Sequence, residues 1–138
     1  MRAVAHIHNS RGQHQVELSM GERSSSIDIP PKPAALGSSI SGGELLTLAL
    51  ATCYCNDVYR EAARMGIEVF RVDVECGAEF PAEGAPARDI SFSARIAAKA
   101  TESQIQELAA RADRVAEIQN TVRAAIPAVL IKVEAQTQ

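Results

Sequence analysis

The chain of 138 residues is poor in aromatic side chains, with no Trp, two Tyr and three Phe. Proteins that bind single-stranded nucleic acids stack bases on aromatic rings, and this composition offers few such platforms. The 17 acidic and 14 basic residues are spread along the chain without blocks, and the net charge is -3. A basic surface for phosphate backbones is therefore missing as well, and we expect no nucleic-acid partner.

A long apolar run is also missing. No stretch approaches the roughly 18 consecutive apolar residues that a membrane-spanning helix needs. The first six residues, Met1-Arg2-Ala3-Val4-Ala5-His6, do not begin a charged region followed by a long apolar one, which is the order of a secretory signal. These features predict a cytoplasmic protein with no membrane partner. The length predicts one domain over residues 1–138.

Cysteine is scarce, and the odd count of three leaves at least one thiol unpaired. In a cytoplasmic protein we expect reduced thiols and no disulfide framework. Cys53 and Cys55 stand two positions apart in an apolar segment of predicted helix. Residues two apart on a helix project about 200° from one another, so these two cannot meet the geometry of a disulfide. The sequence leaves open whether Cys76 lies near either of them.

The periodicity of apolar residues predicts an α+β fold in the order β-β-(β)-α-β-β-α-α-β. Residues 2–8 and 13–19 alternate in the manner of a hairpin, and residues 25–29 are a candidate third strand. Three prolines and a glycine then predict a loop over residues 30–39. Ser41 and Glu44 form a capping box, which predicts a helix from Gly42 to Met65 that Gly66 ends.

The second half of the chain repeats these signals. Residues 67–80 and 88–99 alternate as a long second hairpin, with a proline-bounded turn over 81–86. Thr101 and Gln104 make another capping box, so a second helix is predicted to residue 116. The remaining predicted elements are a short third helix over 117–125 and a last strand over 129–133.

The first half of the long helix, residues 45–55, is apolar on nearly every face. Such a helix is predicted to be buried all round, and it needs more cover than the sheets of one small chain give. We therefore expect a homodimer. Asp57 and Arg60 share the Cys53 face of this helix and are predicted to form a surface ion pair.

The element order, the sequence Glu44-Leu45-Leu46, Cys53 eight residues after Leu45, and Gly66-Ile67 at the helix end together resemble the OsmC/Ohr family. The resemblance covers essentially the whole chain. It implies antiparallel sheets around a long central helix in an intertwined homodimer. It also implies thiol-dependent reduction of organic hydroperoxides.

Residue by residue, the resemblance makes Cys53 the thiol that attacks the peroxide. Arg11, in Ser10-Arg11-Gly12, matches the arginine that lowers the pKa of that thiol and orients the peroxide. Glu44 matches the acidic residue of the Glu-Leu-Leu pattern, whereas the glutamate of the organic-hydroperoxide branch aligns with Gly43. Ala116 stands where that branch has its second, resolving cysteine. Turnover would therefore need an external thiol reductant, unless Cys55 or Cys76 takes that role.

Other interpretations stay open. A protein with this family fold can be non-enzymatic. It is then a dimer that binds a small hydrophobic ligand in an interfacial pocket, or a dimer with no ligand. Cys53 is then an inert buried thiol. His6 and His8 share one face of a predicted strand, and His14 follows in the next strand. Two histidines without a firm third ligand are a weak zinc signal, and we expect no metal and no cofactor.

Overall fold

The computed structural model describes residues 1–136. It confirms the α+β class with antiparallel sheets, in the order β1 (Ala3–Ser10), β2 (Gln13–Met20), β3 (Arg23–Ser26), α1 (Gly42–Met65), β4 (Glu68–Glu79), β5 (Arg88–Lys99), α2 (Glu102–Val115) and α3 (Glu117–Arg123). The chain forms two compact units, residues 1–46 and the residues from Thr47 onward. The expectation that residues 1–138 form one domain stays a prediction. No helix in the described range is both long and apolar enough to cross a membrane.

The first unit contains a three-stranded antiparallel sheet in the order β1-β2-β3. The first hairpin forms as the alternation predicted, but its first strand extends beyond residue 8 and pairing closes at Ser10 and Gln13. The third strand occupies Arg23–Ser26 and begins earlier than the predicted segment 25–29. Gly21 has a φ of 59°, which suits a two-residue hairpin turn, so pairing resumes at once with Arg23 opposite Met20.

The proline-rich segment before α1 is a loop, as predicted, and Asn9 holds it against the first hairpin. The amide of Gly37 donates to Asn9 Oδ1 at 3.0 Å, and Asn9 Nδ2 donates to the Gly37 carbonyl at 3.3 Å. Gly37 has a φ of 99°, a conformation that glycine adopts without steric cost. The Asn9 side chain thereby forms hydrogen bonds with both the backbone amide and the backbone carbonyl of Gly37.

Helix α1 begins and ends where the sequence predicts. The backbone amide of Ser41 donates to Glu44 Oε2 at 2.7 Å, and the amide of Glu44 donates to Ser41 Oγ at 3.2 Å. Gly66 follows the helix with a φ of 66°, and the amide of Ile67 donates to the carbonyl of Ala62 at 2.9 Å. A left-handed glycine directly after the last turn is a common helix end.

The core of the second unit lies where α1, α2 and the β4–β5 hairpin meet. Its buried members are Tyr54, Val58, Ala62, Leu108 and Ala112. Partly buried side chains of the hairpin, such as Val72, Phe92 and Ile96, pack against them. The capping box that opens α2 forms as predicted, with the amide of Gln104 donating to Thr101 Oγ1 at 3.2 Å.

The prediction that residues 45–55 are buried all round is wrong for the single chain. One stripe is buried, in which Leu50, Tyr54 and Val58 recur every four residues, whereas Leu48 is 56% exposed. The reason is geometric: within the second unit the elements that pack on α1 cover one side of it. The apolar pattern of the sequence shows that a face can be buried, but it does not show what covers that face.

The predicted strand over residues 129–133 is also absent. These residues pair with no strand in the described chain, and Val129, Leu130, Ile131 and Val133 are 74–91% exposed. A strand forms only where a neighbouring strand satisfies its backbone groups. The third helix ends at Arg123, before the predicted residue 125, because Ala125 has a left-handed φ of 50° that a helix cannot continue.

The buried position of Leu108 in this core leads to a first testable prediction. Replacing Leu108, which is fully buried, with alanine removes most of a side chain that lies between α1 and the hairpin. We expect a loss of about 2–5 kcal/mol in the free energy of unfolding, measured by chemical denaturation. The exposed Gln106 on the same helix provides the control, and Gln106→Ala should change stability by less than about 0.5 kcal/mol. Equal small effects of both variants would contradict this core.

Candidate active site

Cys53 lies near the middle of α1, and its thiol is placed between two carboxylates. The Sγ atom lies 3.6 Å from Asp57 Oδ2 and 3.9 Å from Glu117 Oε2. Asp57 follows Cys53 by four residues on one helix, so both side chains project from the same face. Glu117 is the first residue of α3. The neighbouring side chain of Gln119, which is itself buried, holds this helix against α1 by donating from Nε2 to the Leu50 carbonyl at 2.8 Å.

Arg60 closes the arrangement into a ring of four side chains. Its Nη2 atom lies 2.6 Å from Asp57 Oδ1 and 4.0 Å from Glu117 Oε1. We call Cys53, Asp57, Arg60 and Glu117 the Cys53 ring. The Asp57 side chain is only 2% exposed, whereas Arg60 and Glu117 reach solvent. Within the Cys53 ring, Asp57 is therefore shielded from solvent, whereas Glu117 is accessible to it.

The ring favours a protonated thiol. Burial is the main cause that raises the pKa of Cys53; a backbone hydrogen bond at Ile118 lowers it, and the nearby carboxylates of Asp57 and Glu117 each raise it. Burial also raises the pKa of Asp57, although the Arg60 guanidinium opposes this. An ordinary cysteine is about a few per cent thiolate at neutral pH. The thiolate fraction of Cys53 is smaller.

Glu44 caps the helix. Hydrogen bonds from the backbone and side chain of Ser41 lower the pKa of its carboxyl group. Glu44 precedes Cys53 by nine residues on α1, and at about 100° per residue this spacing puts the two on opposite faces of the helix. Arg11 is exposed in the turn between β1 and β2 of the first unit. A pairing of Arg11 with Cys53 stays a prediction.

The sequence predicted the ion pair between Asp57 and Arg60, and the structure confirms it. The prediction that this pair lies at the surface is wrong for Asp57, which is buried. The place of Glu117 in the site was not foreseen. In the sequence, the one indication that Glu117 belongs to the site is the adjacent Ala116, the position matched to a resolving cysteine. The structure places this junction of α2 and α3 against Cys53.

All three cysteines are free thiols and are partly buried. Cys76 lies on β4 opposite Phe92, whose ring packs 5.0 Å from that of Tyr54. The Cys53 thiol instead reaches towards α3. A role for Cys76 in resolving an oxidised Cys53 stays a prediction.

The ring also contains three potential metal ligands. One ligand atom each from Cys53, Asp57 and Glu117 lies within 4.8 Å of the others. Arg60 already supplies a positive charge to both carboxylates. The three histidines do not converge on such a site. His6 and His8 share one face of β1, whereas His14 is paired with Asn9 and therefore lies on the other face of the sheet.

Several solved structures resemble this one. An OsmC-like protein from Mycoplasma pneumoniae is 18% identical over 87% of each chain, with a TM-score of 0.60. The organic hydroperoxide resistance protein OhrB of Bacillus subtilis is 15% identical over 89% of this chain and 91% of its own, with a TM-score of 0.54. An organic hydroperoxide resistance protein OsmC from Legionella pneumophila is 18% identical over 89% and 90%, with a TM-score of 0.51. Identities this low show a shared fold alone.

No curated protein matches the chain in a sequence comparison. The family model described as OsmC-like protein, in contrast, matches residues 35–130. That range covers well over half of the chain and includes α1, the β4–β5 hairpin and every residue of the Cys53 ring. The chain therefore belongs to the OsmC-like protein family.

Proposed function

We propose that this protein reduces organic hydroperoxides through Cys53 and is returned to the thiol by an external thiol reductant. Family membership supports the reaction class, since structural relatives are named organic hydroperoxide resistance proteins. The observation that carries the proposal is the 3.6 Å contact between Cys53 Sγ and Asp57 Oδ2. It gives a partly accessible thiol a proton acceptor within reach.

The chemistry divides between the thiol and the carboxylates. Cys53 Sγ attacks one peroxide oxygen, an S–O bond forms, the O–O bond breaks and the alkoxide leaves. Asp57 accepts the thiol proton, and the alkoxide takes up one proton as it departs, so the products are a sulfenic acid and an alcohol. One molecule of external thiol then forms a mixed disulfide and releases water. A second molecule of that thiol frees Cys53.

The environment of Asp57 suits it to this role. Burial raises the pKa of its carboxyl group, which makes it a stronger base than an exposed aspartate, and the Arg60 guanidinium keeps it ionised. Glu117 lies on the solvent side of the thiol and can exchange the proton with water. A cytoplasmic location, expected from the sequence, would supply the reductant, because small thiols are kept reduced there.

The second candidate function is the non-enzymatic one, a dimer that binds a small hydrophobic ligand while Cys53 stays unreactive. Two observations favour it. The pKa of Cys53 is raised, which lowers the fraction of nucleophilic thiolate. Ala116 also leaves the junction of α2 and α3 without the second thiol of the hydroperoxidases. Reactivity towards peroxides separates the two functions.

For the reduction of hydroperoxides, the test is the oxidation of each cysteine after brief exposure to cumene hydroperoxide or hydrogen peroxide. Peptide mass spectrometry with a sulfenic-acid trap measures it site by site. We expect Cys53 to be oxidised first and faster by the organic peroxide, and Cys53→Ser to abolish peroxide consumption. Cys55, in the same helix, is the internal control. If Cys53 reacts no faster than Cys55, the proposed reduction of hydroperoxides is contradicted and the non-enzymatic function is supported.

The charge of Glu117 provides a second test. A carboxylate near a thiol raises the thiol's pKa, so Glu117→Gln lowers the pKa of Cys53 and increases its thiolate fraction at neutral pH. We expect alkylation of Cys53 by iodoacetamide to become about two- to threefold faster. Glu107→Gln, on α2 and ion-paired with Arg111, is the matched control. Equal rates in both variants would show that Glu117 does not act on the thiol.

We also propose that the protein is a homodimer. Two apolar surfaces support this, the outward side of α1 at Leu48 and the exposed segment 129–133. Exposed apolar patches on a protein surface commonly mark sites of protein–protein interaction. Light scattering at micromolar concentration should give twice the mass of 14.7 kDa. Leu130→Asp should shift the protein towards monomer, whereas Lys132→Ser should not. A wild-type monomer at this concentration would contradict the proposal.

A further inference from the structure

The Cys53 ring has the donor atoms for a second kind of chemistry, the binding of a divalent metal ion. Ligand atoms of Cys53, Asp57 and Glu117 lie within 4.8 Å of one another, and no other three histidine, cysteine, aspartate or glutamate side chains converge this closely between residues 1 and 136. All three residues belong to the second unit. The sequence suggested only histidines as candidate ligands, whereas the packing of α3 against α1 assembles this different set.

The distances from the thiol to the two carboxylates are close to those of a zinc site. Zinc–sulfur bonds are about 2.3 Å long and zinc–oxygen bonds about 2.0–2.2 Å, so sulfur and oxygen ligands of a tetrahedral site stand about 3.5–3.7 Å apart. Cys53 Sγ lies 3.6 Å from Asp57 Oδ2 and 3.9 Å from Glu117 Oε2. The first distance fits as it stands. Glu117 is exposed, so its side chain is free to rotate towards the other two ligands.

Arg60 leaves the inner oxygens of both carboxylates to such an ion. Its guanidinium contacts Asp57 Oδ1 and Glu117 Oε1, whereas the Cys53 thiol contacts Oδ2 and Oε2 of the same two residues. A metal ion beside the thiol therefore does not compete with Arg60 for the same atoms. Carboxylates that bind metals are usually held by outer hydrogen bonds of this kind, which orient them towards the ion.

The charge of the ring also favours a divalent cation. With Cys53 protonated, the two carboxylates outweigh the single positive charge of Arg60. The Asp57 side chain is only 2% exposed, so an unbalanced charge there is poorly solvated. A divalent ion that replaces the thiol proton leaves the ring, Arg60 included, with no net charge.

We propose that the Cys53 ring binds one Zn²⁺ ion through Cys53 Sγ, Asp57 Oδ2 and Glu117 Oε2, with water as the fourth ligand. On binding, a zinc–sulfur bond replaces the S–H bond and the thiol proton passes to solvent. The ion holds the sulfur lone pair that would otherwise attack an electrophile, so it blocks the thiol reversibly. Control of peroxide reduction by zinc rests on the proposed function, whereas the binding of zinc does not.

The first test follows the thiols of the reduced full chain, freed of added reductant. Peptide mass spectrometry measures the alkylation of each cysteine by iodoacetamide. Free Zn²⁺ at about ten times its Kd should slow the alkylation of Cys53 about tenfold, because only the empty ring reacts. Cys55 and Cys76 should react as before. Co²⁺, used as a coloured substitute for zinc, should give a thiolate-to-metal charge-transfer absorption that Cys53→Ser abolishes. Ions held by histidines alone give neither signal.

The second test concerns the ligand set. Glu117 is exposed, so Glu117→Gln removes one anionic ligand without disturbing the core. We expect the Kd of Co²⁺ to rise at least about tenfold, since even the loss of an outer-shell partner costs that much in metal affinity. Glu107→Gln, on α2, is the matched control and should bind Co²⁺ as the wild type does.

Three results would each overturn the metal site. They are equal alkylation of Cys53 with and without Zn²⁺, a Co²⁺ complex that lacks the charge-transfer absorption, and equal Co²⁺ affinities of Glu117→Gln and Glu107→Gln. Reaction with cumene hydroperoxide separates this proposal from the proposed function. If Zn²⁺ protects Cys53 from iodoacetamide but the metal-free thiol does not react with the peroxide, the metal site stands and the reduction fails. If the peroxide oxidises Cys53 equally fast with and without Zn²⁺, the block by zinc fails and the reduction stands.

Discussion

The buried carboxylate of Asp57 is the constraint on which the site depends. A charge that is removed from water in this way must be compensated, and Arg60 supplies the compensating charge from one turn further along α1. The same guanidinium reaches towards Glu117, at the start of α3. The ion pair therefore helps to fix the junction of α2 and α3 against α1, and this junction in turn places Glu117 beside the thiol of Cys53.

This arrangement has two opposite effects on the chemistry of Cys53. In the reaction that we propose, Asp57 accepts the thiol proton across the 3.6 Å contact and so assists attack on a peroxide. The negative charges of Asp57 and Glu117 also raise the pKa of the thiol, which reduces the amount of thiolate. The proposed reaction therefore relies on proton transfer during attack, and we expect it to be faster at alkaline pH than at neutral pH. In the reaction that we propose, Ala116 stands where a resolving thiol would be, so that reaction needs a reductant from outside the chain.

Local signals in the sequence predicted most of the fold. The capping boxes at Ser41 and Thr101 and the glycine at position 66 act over a few residues, so the bounds of α1 and the start of α2 could be foreseen. The predicted strand over 129–133 and the predicted all-round burial of residues 45–55 were wrong, because both depend on a neighbour that the pattern does not specify. Cys53 and Asp57 are four residues apart and were visible as one face. Glu117 is 64 residues from Cys53, and only the packing of α3 brings them together.

The most direct test of this account is the pKa of Cys53 itself, measured from thiolate absorbance in a protein that carries Cys55→Ser and Cys76→Ser. We expect a pKa above that of a free cysteine, because burial and two carboxylates favour the protonated thiol. We also expect oxidation by cumene hydroperoxide to rise with pH along the same titration curve. A pKa below that of free cysteine would contradict the account, since it would show that a cation, and not the pair of carboxylates, controls the thiol.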